Sequence, residues 1–489
     1  MYLKREYQLT QLRKKNKKLK IGLCHGVFDI LHHGHLEHFI EAKKKVDILV
    51  VSVTSKPFVN KGPRQPLYSD KERINLLNSI KYIDYVFLNK KKDSINVIKS
   101  LKPNFYFKGK DYLNSDSHGN LQIEIGHLKK NNGTINFTQT NLLSSTKIFN
   151  KNYEWTSAQK KSLREISKIN SKDIQEVFDK LSQRTINIIG EPIIDRYVNC
   201  DILGTTTKDP AISVLSKNDI SIGGGVLAAA KMAATFVKKV NLFTYGDPKY
   251  LKNLIKPFNN INIINFSKNK VIQCKTRYTN SNRGEKLIQI TNLNKNVFSN
   301  NEIKKCISNL KKIKNQNLVI CDFGVGLFEN KILKFINESK LKKYLNVQTN
   351  SVNYGFNLFN KYKKAYYLSL DTREWSLGLN KSNLNTDLIK KKTKAFNFVS
   401  MTRGKGGSIF FTKNRFYESP VFINSVKDTT GSGDAFFIIT SLLIAELTKN
   451  MLVPFIGNLY AGMHGQNLGN KKIITKQELI QNIVSITKI

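Results

Sequence analysis

Two short stretches carry residue types suited to work on phosphate. The first is Gly26-Val27-Phe28-Asp29-Ile30-Leu31-His32-His33-Gly34-His35. Apolar Lys20–Cys24 before it predicts a short buried strand. Leu36–Lys45 after it predicts a helix, with Leu36, Phe39, Ile40 and Lys43 at helical spacing. A helix start offers unpaired N–H groups and a partial positive charge, which together seat a phosphate. His32 and His35, three residues apart, can both face one ligand there. Fixed donors waiting where charge builds on phosphate oxygens are what nucleotidyl transfer needs. The second stretch is Asp428-Thr429-Thr430-Gly431-Ser432-Gly433-Asp434, ahead of apolar Ala435–Ile439. Small residues expose successive backbone amides, so Gly431, Ser432 and Gly433 predict an anion hole. Asp434 stands where a carboxylate could take a proton from a substrate hydroxyl. That division of labour suits phosphoryl transfer to an alcohol.

The elements around the histidines must hold them at the end of a sheet. Val46–Val53 is a β-branched run typical of a buried parallel strand. A loop carrying Lys61 and Arg64 follows, then a helix with Arg73. Tyr85–Leu88 and Phe105–Phe107 read as further strands, the second leading into Lys108-Gly109-Lys110-Asp111-Tyr112. Leu142–Ile148 reads as a helix start whose Ser144, Ser145 and Thr146 would suit a second phosphate cradle or an ordinary cap. Such alternation predicts a doubly wound parallel sheet with ligands at the carboxyl ends of its strands. Met1–Lys18 reads as a basic, frayed helix. Lys151–Arg184 is polar and reads as a linker with a docking helix.

A second α/β pattern starts at Thr185–Gly190, a strand followed by a turn and acidic residues, Asp195 among them. Gly223, Gly224 and Gly225 open a small-residue helix and would let a ligand approach the backbone closely, or let helices pack tightly. Val240–Asp247 and Leu318–Gly324 are further strands ending in acids. The expected fold class is therefore α/β, two Rossmann-like doubly wound parallel-sheet domains. The expected domains are residues 1–150 and 185–489, joined by 151–184.

Length and composition agree with several domains. At 489 residues the chain exceeds one core, and 40% hydrophobic residues suffice for globular packing. Its five cysteines are scattered, with no C-x-x-C pair, which favours a reducing cytoplasm over a disulfide frame or zinc ribbon. Five of eight histidines (His25, His32, His33, His35, His38) cluster early, so a metal site is a second reading there, although zinc would want Cys or carboxylate partners. No apolar stretch is long enough to span a bilayer, and membrane insertion is not expected. The net charge of +44 raises nucleic acid as a partner. The surplus is mostly Lys spread among Asn and Ile, as an AT-rich genome encodes, and no nucleic-acid motif accompanies it. Specific nucleic-acid binding is not expected, while phosphorylated substrates would be attracted.

The pattern G-x-F-D-x-x-H-x-G-H resembles the signature of the cytidylyltransferase-like nucleotidyltransferases. The resemblance implies nucleotide contacts from Gly26, Phe28, Asp29, Gly34 and the Ser144–Thr146 segment, catalysis by His32, His35 and Lys61, and substrate contacts from Arg64, Arg73 and Lys108. D-x-T-G-S-G-D resembles the ribokinase-like carbohydrate kinases of phosphofructokinase-B type, from about Ile186 onward. That resemblance implies Asp434 as base, Arg403 and Gly404 in the nucleotide region, Asp195, Gly223 and Gly224 toward the sugar, and Asp371 with Glu374 toward Mg²⁺. Asp371 stands where that family usually has Asn, Leu227 stands about where its sugar-contacting Asn is expected, and Val347-Gln348-Thr349-Asn350 replaces a Val-Asp-Pro-Lys stretch. Together the two signatures resemble the bifunctional heptose-phosphate kinase/nucleotidyltransferases, with the two domains in reversed order. Implied ligands are sugar phosphates, ATP and Mg²⁺, with ATP or CTP as nucleotidyl donor. Homo-oligomer formation is compatible with the residues. A rival reading keeps the nucleotidyltransferase and makes the second domain a degenerate binding module.

Overall fold

The computed structural model describes residues 1–59, 66–110, 120–139, 154–282, 284–292, 296–313, 317–392, 394–423, 425–446 and 449–487. Lys61, Arg64, Ser144, Ser145 and Thr146 lie outside the described residues. The chain divides into two compact units, Met1–Trp155 with Ile480–Ile489, and Thr156–Leu479.

The first unit is built on six strands: β1 (Tyr2–Leu3), β2 (Ile21–Gly26), β3 (Ile48–Thr54), β4 (Tyr85–Asn89), β5 (Phe105–Gly109) and β6 (Thr134–Thr138). All pair in parallel in the order β1-β4-β3-β2-β5-β6. Successive residues feed opposite faces: Leu23, Val50 and Tyr106 enter one apolar cluster, while Cys24, Val51 and Phe107 enter another. Covering on both faces is why every residue of β3 is buried. The connection after β2 leads to β3 on one side, and β5 lies on the other. The strand order therefore reverses at β2, where such sheets open a ligand crevice. The basic lead-in is more ordered than expected. Tyr2 and Leu3 extend the sheet beside β4, and the helix Glu6–Lys15 buries Leu9 and Leu12.

The second unit has a nine-stranded sheet, β7 (Thr185–Gly190), β10 (Lys239–Thr244), β11 (Ile261–Asn265), β14 (Asn317–Asp322), β15 (Lys342–Val347), β16 (Ala365–Asp371), β17 (Phe396–Thr402), β18 (Ser408–Phe411) and β19 (Phe416–Ser419). The order is β11-β10-β7-β14-β15-β16-β17-β18-β19, parallel up to β17 and antiparallel at the β17–β18–β19 edge. A separate four-stranded sheet adds what the doubly wound expectation lacked. It comprises β8 (Pro192–Thr205), β9 (Ile212–Gly225), β12 (Gln273–Asn280) and β13 (Lys286–Asn292), in the order β13-β12-β8-β9. The stretch read as a turn after Gly190 is thus a 14-residue strand paired antiparallel to an equally long β9. Residues 151–184 hold two amphipathic helices, Ser157–Ile166 and Ser171–Leu181. They are capped by Thr156 and Asn170 and bury Leu163, Ile166, Ile174, Phe178 and Leu181.

Candidate functional site

In the first unit the motif turn ends β2 and starts the helix His33–Lys43, with His32 as its N-cap in extended conformation. The His32 and His35 rings stack at 3.9 Å between centroids, 25° from parallel. Phe28 supports this pair from below. It takes a left-handed φ of 49°, is buried, and packs on His35 at 5.4 Å and Phe39 at 5.3 Å. Gly26 leaves room for that ring, since a Cβ there would come 3.0 Å from Phe28 Cζ. Gly34 is buried in the first helical turn. The Phe28 side chain therefore packs beneath the motif turn in this structure.

Two further expected ligand contacts also act inside the fold. Asp29 is buried and accepts from Leu67 N (2.8 Å) and Tyr68 N (3.0 Å), tying the following loop to the motif. Arg73, expected on the substrate, is fully buried. Its guanidinium donates to Val27 O (2.7 Å), Thr54 O (2.9 Å) and Asp70 Oδ1 (2.6 Å), clamping the ends of β2 and β3. Five donors in a rigid fork suit it to bridging carbonyls, a job no sequence spacing reveals.

Lys108 is likewise buried, 3.9 Å from Glu124 Oε2 and 5.0 Å from the Tyr106 ring centre. Burial would raise Glu124, but the Lys108 charge and the Ser94 hydrogen bonds hold it below its usual value. Burial, then the Lys108 charge, pushes His25 and His38 down to about 4, so both imidazoles are neutral at physiological pH. Those two rings bond Ser52 and Thr138 hydroxyls (3.1 and 2.6 Å), while His33 faces Glu37 at 3.1 Å. Three of the five clustered histidines thus turn to partners of their own, while His32 and His35 stack on each other. Among the described residues no group of three His, Cys, Asp or Glu side chains is placed to hold a metal.

The second site forms where the small sheet meets the helix Ser432–Ala445. A cavity of about 80 Å³ is lined by Ile193, Asp195, Gly225, Lys275, Arg277, Phe323, Gln348, Thr430, Gly431, Asp434 and Asn470. Gly431 is the helix N-cap at φ 79°. A Cβ there would come 2.7 Å from Asn470 Oδ1 and 2.9 Å from His464 Nε2, so glycine is required on both counts. No atom lies within 4 Å of a Cβ built at Gly433, which leaves its side of the turn open. The turn is braced by Asp428, which accepts from Thr430 N (3.0 Å), Gly469 N (3.0 Å) and Lys286 Nζ (2.6 Å). Asp434 is buried at the cavity wall. Burial, then the negative charge of Asp195, raises it to about 7, with Lys275 and a hydrogen bond from Gln348 pulling the other way.

Asp195 faces this cavity from β8. It pairs with Arg277 Nη1 at 2.6 Å and accepts from Asn470 Nδ2 at 3.1 Å. Gly224, opposite on β9, has the role of making room: a Cβ at 224 would overlap Asp195 Oδ2. Gly223 is hemmed in by Leu254 O at 3.1 Å. Both glycines thus shape the site through packing. Lys275, whose pKa burial holds below the ordinary lysine value, adds a second cation to the wall. Asn470 Oδ1 is buried with no hydrogen-bond partner among the described residues. Lys275 and Arg277 alternate on β12, a period-2 signal visible in Cys274-Lys275-Thr276-Arg277. Asp428 was visible as the first residue of the glycine-rich stretch, whereas Asn470 and Lys286 had no comparable signal.

Two further groups of expected site residues are engaged in local structure. Asp371 and Glu374 form a reciprocal capping box on the helix Thr372–Leu379, with Glu374 N on Asp371 Oδ1 (2.7 Å) and Asp371 N on Glu374 Oε2 (2.9 Å). The other Glu374 oxygen accepts from Thr349 N at 3.1 Å. Burial, then the Asp371 charge, raises Glu374 to about 8. Both Glu374 oxygens and Asp371 Oδ1 are thus engaged with backbone amides in this structure. Arg403 closes its own turn, donating to Gly406 O (2.9 Å) and pairing with Glu418. Gly404 beside it is at φ 54° with open space where a Cβ would be.

A parallel sheet whose order reverses at a histidine-bearing helix start, and a nine-stranded sheet with a small mixed sheet beside a glycine-rich helix start, define two α/β nucleotide-handling folds. Residues 184–451 match the profile of the pfkB family carbohydrate kinases, and residues 23–151 match the cytidylyltransferase-like profile. The chain belongs to the pfkB family of carbohydrate kinases, with a cytidylyltransferase-like domain ahead of the kinase domain. It is 36% identical over 122 residues to the bifunctional protein HldE of Helicobacter pylori, covering 24% of this chain and 26% of the relative. It is 32% identical over 119 residues to HldE of Campylobacter concisus, covering 24% and 25%. The chain thus spans about a quarter of the length of the curated relatives it matches. Among solved structures, phosphofructokinase-2 of Escherichia coli with substrates and products superposes with a TM-score of 0.51 at 12% identity, covering 62% of this chain and 99% of that one. A point mutant of the same enzyme gives the same TM-score. These likenesses establish the fold.

Proposed function

We propose that the protein is a bifunctional enzyme of nucleotide-sugar synthesis. Its second unit phosphorylates a sugar or sugar phosphate, and its first transfers a nucleotidyl group from a nucleoside triphosphate to a sugar 1-phosphate of heptose type. The observation that carries the reading is the cavity at Asp434. One buried carboxylate raised to about 7, a glycine-rich helix start, two cations and an amide oxygen with no hydrogen-bond partner among the described residues converge on one small space.

In the second unit Asp434 takes the proton of the attacking hydroxyl, and the Gly431 and Gly433 amides receive the negative charge of the transferring phosphoryl group, while Ser432 N closes the turn on Thr429 O at 3.0 Å. Asn470 Oδ1 and the Asp195 carboxylate receive sugar hydroxyls. Lys275 and Arg277 favour a substrate that carries its own phosphate. The donor is ATP as its magnesium complex; the metal comes with the nucleotide, and no step is assigned to it. In the first unit an oxygen of the sugar 1-phosphate attacks the α-phosphorus and pyrophosphate leaves, with His32 and His35 donating to the charged oxygens from the helix start. Lys61, Arg64 and the Ser144–Thr146 segment are assigned to the same triphosphate. This is the work of a cytoplasmic enzyme, since its substrates are metabolites of that compartment. No helix among the described residues is long and apolar enough to cross a membrane.

The test is mass spectrometry of products from the purified protein given ATP, CTP and pooled sugars and sugar phosphates. A phosphorylated sugar and a nucleotide sugar are both expected. A nucleotide sugar alone would favour the rival reading, in which the kinase fold only binds.

A further inference from the structure

We propose that Gln348 is a positioning residue for the phosphoryl-transfer base: its side-chain amide holds one oxygen of Asp434 so that the other faces the substrate hydroxyl. The inference rests on the reading of Asp434 as base and extends it to a residue whose type alone would not attract notice.

The argument starts from an amide relay. Asn346 Nδ2 donates to Ser369 O at 2.9 Å, a backbone carbonyl that can only accept. The Asn346 oxygen is therefore turned toward Gln348, and Gln348 Nε2 donates to it at 3.1 Å. The second N–H of the same Nε2 is then aimed at Asp434 Oδ1, which accepts it. Flipping Gln348 would set its oxygen against both Asn346 Oδ1 and the carboxylate, so the network fixes the orientation from one end. The Gln348 backbone is anchored as well: its N–H donates to Asp322 O (2.8 Å) and its carbonyl accepts from Asn357 Nδ2 (3.1 Å). The donor sits one residue past the end of β15, and the acceptor on the first turn of the Ser432–Ala445 helix, so the contact joins the ends of two regular elements.

The surroundings make this donor matter. Asp195 from β8 and Glu374 from the Thr372–Leu379 helix oppose a charge on Asp434, as does the buried Cys321 at the end of β14, were it ionised. Lys275 from β12 favours it, and Gln348 is the neutral donor bonded directly to it. A hydrogen bond to the charged form favours that form. Removing it should make Asp434 harder to ionise and free to rotate.

The experiment compares Gln348→Leu, Gln348→Met and Gln348→Glu. Phosphotransfer is followed as kcat, KM and the pH profile of kcat/KM. Asp434 is titrated separately by NMR of ¹³Cγ-aspartate, with its signal assigned by loss in Asp434→Asn. Leu and Met should lower kcat about tenfold, leave the sugar KM within threefold, and move both the acid limb and the NMR titration upward by about one pH unit. Glu, which keeps the shape but not the obligatory donor, should move the titration at least as far as Leu. A merely structural role would make Glu the mildest substitution and leave the titration in place, and that result would overturn the proposal. Absence of sugar phosphorylation by the wild-type protein would refute the kinase reading instead. The NMR titration still decides whether Gln348 holds Asp434.

Discussion

Replacing Asp434 by Asn should move activity and stability in opposite directions. The carboxylate is buried, and its value of about 7 compares with 3.8 for a free aspartate. The folded state therefore binds this proton more tightly than the unfolded chain does. Stability falls as pH rises from about 4, through the range in which only the unfolded chain is ionised, and levels off above about 7. At roughly 1.4 kcal/mol per pH unit, the cost of hosting the charge is about 4 kcal/mol at pH 8 and under about 1 kcal/mol at pH 4. An amide removes that cost, and its oxygen can still accept from Gln348. The variant should thus be more stable than wild type at pH 8, by an amount that shrinks on acidification. Loss of the base should meanwhile lower kcat about 10²- to 10⁴-fold. Urea unfolding is read by fluorescence of Trp375, fully buried in the second unit, in a background where Trp155, the other of two tryptophans, is Phe. A stability difference that does not vary between pH 4 and 8, or a destabilised variant at pH 8, would refute the reasoning. Wild-type kcat/KM should rise about tenfold between pH 6 and 8, because roughly one-tenth of a group titrating near 7 is ionised at the lower pH and nine-tenths at the higher.

Three further outcomes are expected. His35→Ala should slow pyrophosphate release by about 10²- to 10³-fold while sugar phosphorylation continues, checked by a coupled phosphate assay. Arg73→Met leaves Val27 O, Thr54 O and Asp70 without their shared donor; it should destabilise the first unit by about 3 kcal/mol, seen as faster hydrogen exchange in β2 and β3. Gly224→Ala should push Asp195 aside and raise the sugar KM at least about tenfold with the ATP KM little changed, measured by steady-state kinetics.

Both helix starts were legible because their signals are local. A strand, a turn of small or imidazole residues and an apolar helix follow one another within about fifteen residues, and glycine at 431 answers a backbone need. What escaped depends on partners distant in sequence. Arg73 looked like a free cation until Val27 and Thr54 were brought beside it. Asp371 and Glu374 were noticed through the family resemblance, and the capping box they form on the Thr372–Leu379 helix went unread. The four-stranded sheet was hidden because β8 follows β7 after a single residue, so Pro192–Tyr197 read as the turn that ends a strand. Gln348 carries no charge, and only the fold places it against Asp434.

The central claim is that each of two helix starts grips a polyphosphate. A crystal structure of the protein soaked with a non-hydrolysable ATP analogue and Mg²⁺ tests it most directly. The account predicts phosphate density on the amides of Gly431 and Gly433 and beside the stacked rings of His32 and His35. Analogue bound with its phosphates away from both turns would contradict it.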